Sequence, residues 1–519
     1  MTTLPASLAA LKGDTASDPA LDAAIRHALS GYEGRGHDEL VHADGQARSG
    51  SEALVQALRG ISFADLRARQ RAAEADITAQ GITFTVYADG ANIDRAWPMD
   101  IVPRVFAARE WSTVDAGLRQ RLAGLNCFID DLYHEQRCLR DGIIPRALVE
   151  SSPGWRPECR GANPPQRVWA HICGSDLVRD ADGTVYVLED NLRVPSGVSY
   201  MLENRAVTKR VYAELFERQS IRPVDRYPER LLETLLSLCP GGDGRAVVLT
   251  PGVYNAAYFE HSFLAKQMGV ELVENQDLFV DSDDVCYVST IEGPVRVDAI
   301  YRRIDDWFLD PEAFNPDSML GVAGLTRAWR AGNLALANAP GTGVADDKVV
   351  YTYVPDLIRY YLSEEPILPN VPTFRCEDPA QLSHVVANLD RMVVKPANES
   401  GGKGILIGPQ ADRAALDKYR ERLRANPRGW VAQPVVELSC SPTVCESGLE
   451  PRCVDLRPFS LQGASSYVTA GGLTRVARRR GSYVVNSSQG GGSKDTWIVE
   501  SGSSTSPAGP PTGPPGGGT

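Results

Sequence analysis

Three oxygen-bearing side chains, Asp176, Glu189 and Asn191, lie close together in the sequence, and their types are those that bind a hard cation. The dipeptide Asp182-Gly183 between two β-type runs predicts a hairpin, which brings Asp176 and Glu189 to the same open end. Glu189 and Asn191 share one strand face because side chains alternate, whereas Asp190 points away. Two carboxylates and a carboxamide suit Mg²⁺, and without a cation the carboxylates would repel each other. The stretch therefore predicts a magnesium site, with a solvated hairpin end as the alternative.

A second group of candidate residues could bind phosphate. Lys395 ends an apolar strand and is followed by the glycine-rich loop 399–404. Backbone N–H groups of such a loop can surround phosphate oxygens, beside the point charge of the lysine. The pattern departs from the P-loop NTPase motif at Ala397, so an ordinary hairpin loop is the alternative. Lys348 in an earlier glycine-rich loop and Gln433 on a later strand add to the same prediction.

Composition limits the classes of protein to consider. The chain has 519 residues, enough for about three domains, and a net charge of -12. This acidic balance disfavours nucleic-acid binding. No segment has the roughly 20 apolar residues of a membrane span or the pattern of a signal peptide, so we expect a cytoplasmic protein. The ten cysteines lack a C-x-x-C pair and predict reduced thiols; a structural zinc site at Cys440, Cys445 and Cys453 is the alternative.

The elements that must position these residues change in type along the chain. Apolar spacings of three and four predict helices in residues 18–32, 50–60 and 63–80, with one short strand at 81–87. Residues 245–278 alternate strand, helix and strand, as in a parallel α/β unit. The predicted parts are a flexible N-terminus (1–20), a mainly helical region (21–150), a metal-binding part (151–235), a parallel α/β domain (236–345), a nucleotide-binding part (346–500) and a disordered tail (501–519).

The spacing D-x12-E-x-N at Asp176, Glu189 and Asn191 resembles the two-magnesium signature of the ATP-grasp superfamily. Here the lysines follow the metal ligands, an order similar to that of the circularly permuted ATP-grasp proteins related to glutathionylspermidine synthetase. The resemblance covers residues 75–495 and includes the runs VLEDNLRVPSGVSY, YRRIDD, NAPGTGVADDK, LPNVPT, KPANESGGKG and GGLTRVA. It implies an α/β (α+β) fold: a circularly permuted ATP-grasp fold with an inserted pre-ATP-grasp-like domain.

The resemblance also implies roles for individual residues, with ATP and two Mg²⁺ ions as cofactors. Two lysines would hold the α- and β-phosphates, a loop would cover the β- and γ-phosphates, two residues would meet the adenine, and one arginine would face the transferred phosphoryl group. In that order these are Lys348 and Lys395; Glu399, Ser400, Gly401 and Gly402; Gln433 and Val435; and Arg475. The turn at Ser196 and Gly197 would bind the carboxylate end of the substrate.

Two positions leave the roles of arginines open. Many ATP-grasp ligases carry an arginine two residues before the first metal aspartate, where this chain has Gly174; Arg193 or Arg475 could replace it. Arg303, in YRRIDD, could belong to an ion-paired strand end or could line the acceptor pocket.

The function implied is that of an ATP-dependent carboxylate–amine ligase, which works through an acyl phosphate and joins small-molecule or peptide substrates. A non-catalytic nucleotide-binding scaffold and a small-molecule phosphotransferase are the alternatives. We expect no nucleic-acid or membrane partner. The identities of the acid, the amine and any protein partner are left open.

The tail gives a first prediction. Residues 501–519 are glycine, proline, serine, threonine and one alanine, without an apolar face that could dock. Deleting them should leave the thermal midpoint and ATP turnover unchanged within error. A clear loss of either, in a side-by-side melting and activity measurement, would show that the tail packs on the protein.

Overall fold

The computed structural model describes residues 26–88, 91–239, 242, 244–399, 404–486 and 490–500. The helix Phe63–Ala79 begins after Ser62, whose hydroxyl accepts the Asp65 N–H. The long helix Ala108–Tyr133 buries Leu118, Leu122 and Leu125 at helical spacing. The first elements are α1 (Glu52–Gly60), α2 (Phe63–Ala79), β1 (Thr83–Ala88), β2 (Ala91–Ala96), β3 (Met99–Ala107), α3 (Ala108–Tyr133), α4 (Arg137–Arg140) and α5 (Arg146–Glu150).

The helices predicted at 50–60 and 63–80 are confirmed, but the helix predicted for 18–32 is wrong over residues 26–32. That segment turns and bridges to Ser62, and the Ala28 N–H donates to the Ile61 carbonyl. These tertiary contacts override the helical spacing of its apolar residues. Residues 18–25, the predicted flexible N-terminus and the tail lie outside the described residues.

The predicted hairpin at Asp182-Gly183 is present. Gly183 has a φ of 90°, a left-handed conformation that glycine adopts without strain, and its N–H donates to the Asp180 carbonyl. The hairpin and the helices after it are β4 (Ile172–Arg179), β5 (Val185–Asn191), α6 (Val198–Val211), α7 (Ala213–Arg218) and α8 (Tyr227–Ser237).

The predicted parallel α/β unit is also present as a four-stranded parallel sheet of order β12-β11-β6-β7. A small antiparallel sheet, β10-β9-β8, lies between its second and third strands in sequence. The elements are β6 (Ala246–Leu249), α9 (Tyr258–Met268), β7 (Glu271–Val273), β8 (Leu278–Val280), β9 (Cys286–Thr290), β10 (Gly293–Arg296), β11 (Ala299–Arg302), α10 (Asp306–Leu309), α11 (Leu325–Arg330) and β12 (Ala335–Ala337).

Within the part predicted to bind nucleotide (346–500), residues 374–434 contribute an antiparallel sheet of order β13-β16-β14-β15. Val385, Leu389, Val394 and Leu423 pack in its own core cluster between the sheet and two helices. The elements are α12 (Lys348–Tyr351), α13 (Val354–Leu362), β13 (Phe374–Arg375), α14 (Pro379–Ala387), β14 (Met392–Pro396), β15 (Leu406–Ile407), α15 (Arg413–Ala425) and β16 (Trp430–Pro434).

The largest sheet joins strands from both halves of the chain. Its order is β20-β19-β4-β18-β21-β22-β3, with β5 on β4 and β17 on β18. All eight residues of β4 and of β22 are buried, so both of its faces are covered there. The remaining strands are β17 (Cys440–Val444), β18 (Leu449–Arg457), β19 (Phe459–Gln462), β20 (Ser466–Val468), β21 (Leu473–Val476) and β22 (Gly492–Val499). The sheet therefore places the hairpin β4–β5 beside β18, although β18 comes much later in the sequence.

Within the described ranges, no helix has both the length and the apolar character needed to cross a lipid bilayer.

Candidate functional site

A cavity of about 320 Å³ lies where the hairpin end, the antiparallel sheet and strands β18 and β21 meet. One part of its wall is charged and the other is apolar. The charged side chains are Asp176, Glu189, Lys348, Lys395, Glu399, Asp455 and Arg475; the apolar ones include Val178, Leu188, Val393, Ile405, Ile407, Pro434, Val436 and Leu438. The cavity has the size of a small-molecule site with a few convergent polar groups.

The hairpin brings two of the three predicted metal ligands to this cavity. Asp176 lies directly opposite Glu189 in the strand register, and both line the wall. Asn191 is opposite Gly174, and its amide donates to the Gly174 carbonyl (2.9 Å) instead of lining the cavity. Asp190 points away, as its strand position predicted: its carboxylate pairs with Arg121 in the core (2.8 and 2.9 Å).

Asp176 belongs to a buried charge network with two arginines. Arg457 donates to both carboxylate oxygens of Asp176 (2.5 and 2.8 Å), and Arg475 donates to one of them (2.8 Å). Arg475 also pairs with Asp455, its neighbour across β18 and β21. Burial raises the pKa of a carboxyl, but the two guanidinium groups outweigh it and hold the pKa of Asp176 well below its usual range. Asp176 is therefore ionised.

The two predicted phosphate-binding lysines differ in their surroundings. Lys348 pairs with Glu189 (3.3 Å) and donates to the Glu399 carbonyl (2.8 Å). Lys395 is 8% exposed, and its ammonium has no hydrogen bond or ion pair with another described residue. Burial lowers the pKa of Lys395 to about 8, against the opposing charge of Glu189. A buried cation without a close anionic partner is suited to receive a phosphate.

The apolar end of the cavity contains Gln433 and Val435, both of which line it. The Gln433 amide donates to the Thr373 hydroxyl (3.0 Å), and the Val435 N–H donates to the Arg391 carbonyl. Of the predicted phosphate loop, Glu399 lines the cavity, whereas Ser400, Gly401 and Gly402 lie outside the described residues.

Arg457 is a candidate site residue that the sequence interpretation missed. A β-carbon built at Gly174 would lie 3.3 Å from Cδ and 3.5 Å from Cγ of Arg457, so the arginine stem occupies the space beside that glycine. Its guanidinium contacts Asp176 and the Ser196 carbonyl (3.2 Å). The signal available in the sequence was the spacing of Asp455 and Arg457, which places an acid and a base on one strand face.

The residues expected to bind the substrate carboxylate are engaged with one another. Arg303 donates to the Ser196 hydroxyl (2.5 Å) and pairs with Glu260 (3.1 Å), and Glu260 accepts the Gly197 N–H (2.7 Å). Arg302 pairs with Asp306 (2.5 Å). The run YRRIDD therefore forms an ion-paired strand end. Arg303 binds the turn at Ser196 and Gly197 through the Ser196 hydroxyl and Glu260.

Arg193 does not line the first cavity. Its guanidinium pairs with Asp305 (3.1 Å) and Asp346 (2.8 Å). Of the two arginines considered as replacements for the one absent at Gly174, only Arg475 therefore contacts Asp176.

The donor chemistry fits a hard cation at the hairpin end. Glu189 has a partly exposed carboxylate, Asn191 retains its amide oxygen, and each oxygen of Asp176 can accept more than one contact. In the part of the chain that is described, no group of three or more histidine, cysteine, aspartate or glutamate residues could hold a metal ion. The predicted set is of a different kind, because it combines two carboxylates with one carboxamide. All ten cysteines lie within the described ranges; none of them forms a disulfide, and most are buried.

Replacing Lys395 by methionine gives a second prediction. The change keeps the stem and removes a buried charge, so the fold should persist while affinity for an ATP analogue falls at least tenfold, because one charge-assisted phosphate contact is lost. Lys418→Met, an exposed change on α15, is the matched control. Equal affinity of Lys395→Met and wild type, measured by titration of a fluorescent ATP analogue, would contradict this assignment.

The chain is similar in sequence to proteins of Synechocystis, Mycobacterium and Frankia. It is 52% identical to an uncharacterized protein of Synechocystis sp., over 91% of this chain and 99% of that protein. It is 50% identical to an uncharacterized protein of Mycobacterium tuberculosis (89% and 84%). It is also 44% identical to a protein of Frankia casuarinae named putative glutamate–cysteine ligase, over 95% of this chain and 57% of that protein.

The fold is similar to that of a glutathione synthetase-like effector from Globodera pallida, solved in its apo form. The TM-score is 0.54 at 12% identity, and the match covers 83% of this chain and 96% of the effector. A family model, circularly permuted ATP-grasp type 2, matches residues 103–477 and thus includes the hairpin, both lysines and Arg475. The chain therefore belongs to the circularly permuted ATP-grasp type 2 family.

Proposed function

We propose that the protein is an ATP-dependent carboxylate–amine ligase that works through an acyl phosphate. Family membership and a relative named as a ligase support an ATP-dependent ligase in general. The observation that carries the finer proposal is the first cavity, in which Asp176 and Glu189 face Lys348, Lys395 and Arg475 beside an apolar compartment. A triphosphate needs cationic groups and metal-binding carboxylates together, and a purine needs apolar walls.

Each group has a role in this reaction. Lys395 and Lys348 bind phosphate oxygens, and the apolar walls near Gln433 and Val435 enclose the adenine. Arg475 and Arg457, fixed by Asp176 and Asp455, present positive charge where the phosphoryl group is transferred. Magnesium held by Glu189, Asn191 and Asp176 would neutralise developing negative charge on the phosphates.

The substrate carboxylate attacks the γ-phosphate, ADP leaves, and an amine then displaces phosphate from the acyl carbon. No serine or cysteine nucleophile is required, which agrees with a cavity lined by charged and apolar side chains.

The scaffold alternative is disfavoured because both lysines, both carboxylates and Arg475 are present together; a decayed site tends to lose buried charges that cost stability.

Hydroxylamine trapping tests the proposal. The protein is incubated with Mg-ATP, hydroxylamine and a mixture of amino acids and glutamyl peptides as carboxylate donors. A ligase forms a hydroxamate and equimolar ADP and phosphate, because hydroxylamine captures the acyl phosphate. A phosphotransferase acting on a hydroxyl group would give ADP and a phosphorylated product without hydroxamate, and a scaffold would give neither.

A further inference from the structure

A second cavity, of about 130 Å³, lies next to the first. Asp346 and Asp347 line it and directly precede Lys348, which lines the first cavity; Asn398 lines it and precedes Glu399 in the same way. The Lys348 N–H donates to the Ala397 carbonyl, which ties these two segments together. The cavities therefore share a wall formed by residues 346–348 and 398–399.

Two glycines keep the second cavity open. A β-carbon at Gly154 would lie 2.3 Å from the carbonyl of Gly343, so the two backbones touch without side chains between them. A β-carbon at Gly343 would lie 2.8 Å from Cδ of Arg193. A side chain at Gly154 would clash with the Gly343 backbone, and one at Gly343 would clash with the Arg193 stem. The space thus depends on two residues that have no side chain.

The shared wall carries carboxylates. Asp346 accepts from Arg193 (2.8 Å) and from the Leu192 N–H (2.5 Å). Asp347 accepts from Arg428 (2.6 Å) and from the Val349 N–H, where it caps α12. These contacts fix both carboxylates beside Lys348. Each is paired with an arginine, and its remaining lone pairs can accept a further N–H donor on the side of the second cavity nearest to the first.

The segment 153–156 contributes the opposite charge. Arg156 donates to the Pro153 carbonyl (2.7 Å) and lies over the Trp307 ring (5.7 Å), and its Nε is buried without a hydrogen-bond partner. Among the described residues no carboxylate forms an ion pair with Arg156. A fixed, half-buried guanidinium of this kind is suited to bind a carboxylate in two parallel hydrogen bonds.

We propose that the second cavity binds the amine substrate of the ligase and that this substrate is an amino acid. The inference rests on the proposed function. Arg156 binds the α-carboxylate, and the amino group faces Asp346 and Asp347, next to the first cavity where the acyl phosphate forms. The volume of about 130 Å³ is below that of drug-sized sites, as an amino acid requires.

The orientation gives a balanced reaction. The amine nitrogen bonds to the acyl carbon, and the bond from that carbon to the phosphate oxygen breaks. The ammonium group gives up two protons, of which one leaves with the phosphate and the other passes to solvent. An amide, whose amine side carries a free α-carboxylate, is the product.

Binding measurements on the full chain, with Mg²⁺ and a non-hydrolysable ATP analogue present, test this. The probes are glycine, L-alanine, L-serine and L-glutamate, each compared with its α-amide by ligand-observed NMR. We expect each free acid to bind at least tenfold more tightly than its amide. Arg156→Ala should lower the affinity for the acids at least tenfold and remove the preference, because a charge-assisted contact is lost.

Arg160→Ala is the matched control, since Arg160 is exposed, follows the segment 153–156 closely in the chain and lies over Trp155 (5.4 Å). It should keep the preference for free acids. If Arg156→Ala does not fold, Arg156→Gln replaces it. Equal binding of acid and amide by wild type, or a preserved preference in the Arg156 variant, contradicts the inference.

The ligase assignment and the amino-acid site are tested independently of each other. Acid-selective binding without hydroxamate in the trapping assay supports the amino-acid site and contradicts the ligase. Hydroxamate formation without acid-selective binding supports the ligase and contradicts the amino-acid site alone.

Discussion

Replacing Glu189 by glutamine is expected to reduce Mg-dependent ATP turnover by about 100- to 1000-fold, the range found when one electrostatic contact to a reacting group is removed. Glutamine keeps the shape of the side chain but removes its charge. Glu189 lies opposite Asp176 and pairs with Lys348, so the change weakens the metal site and unpairs a phosphate-binding lysine together. The Mg²⁺ concentration for half-maximal turnover should rise as well.

The same variant should fold normally. The Glu189–Lys348 pair is partly exposed, and such pairs contribute at most about 1 kcal/mol to the free energy of unfolding. Glu189→Asp, which retains the charge on a shorter stem, should retain part of the turnover, and Glu217→Gln on the surface of α7 should retain all of it. Wild-type turnover and Mg²⁺ dependence in Glu189→Gln would remove the metal assignment.

Local patterns were sufficient to predict the hairpin and the opposite directions of Glu189 and Asp190. Strand alternation separates Glu189 from Asp190, and the structure places the first on the cavity wall and the second against Arg121. The strands that carry Lys395 and Gln433 followed from short apolar runs in the same way. In each case the information lies within about ten residues, where side-chain period and turn type decide the outcome.

Contacts between distant residues could not be predicted in that way. Arg457 and Asp176 are 281 residues apart, and only the order of the largest sheet makes them neighbours. The sequence interpretation therefore left Asp176 free for a metal, whereas two arginines share its carboxylate. Asn191 likewise satisfies its amide on the adjacent strand. The resemblance to a family supplied the residue types of the site, but not these pairings.

The second cavity shows the same limit. Arg156, Arg193 and Asp346 come from three separate segments, and nothing in the sequence indicates that they meet. Arg193 was considered as a replacement for the arginine absent at Gly174, but its contacts with Asp305 and Asp346 hold it at the second cavity instead. The position of Arg193 at the second cavity thus follows from its contacts in the structure and not from its place in the sequence.

Replacing Arg457 by alanine is expected to lower ATP turnover by about 100-fold or more while changing affinity for the ATP analogue far less. Arg457 donates to both oxygens of Asp176 and to the Ser196 carbonyl, so it links the metal-binding carboxylate to the turn at 195–197. Arg457→Lys should recover little, because an ammonium cannot reproduce the two parallel hydrogen bonds of a guanidinium.

A second substitution separates a role in the reaction from a role in packing. The Arg457 stem fills the space beside Gly174: two of the three atoms nearest to a β-carbon built there belong to Arg457, and the third is Cβ of Pro195 (3.2 Å). The double variant Gly174→Arg, Arg457→Ala is designed to return a guanidinium to Asp176 from β4, the strand that carries Asp176 itself, and it should regain a measurable part of the turnover lost in Arg457→Ala. Gly174→Arg alone should be impaired, because the two side chains compete for one space. Full turnover in Arg457→Ala, or an equal loss in single and double variants with unchanged melting, would show that the guanidinium beside Asp176 does not act in the reaction.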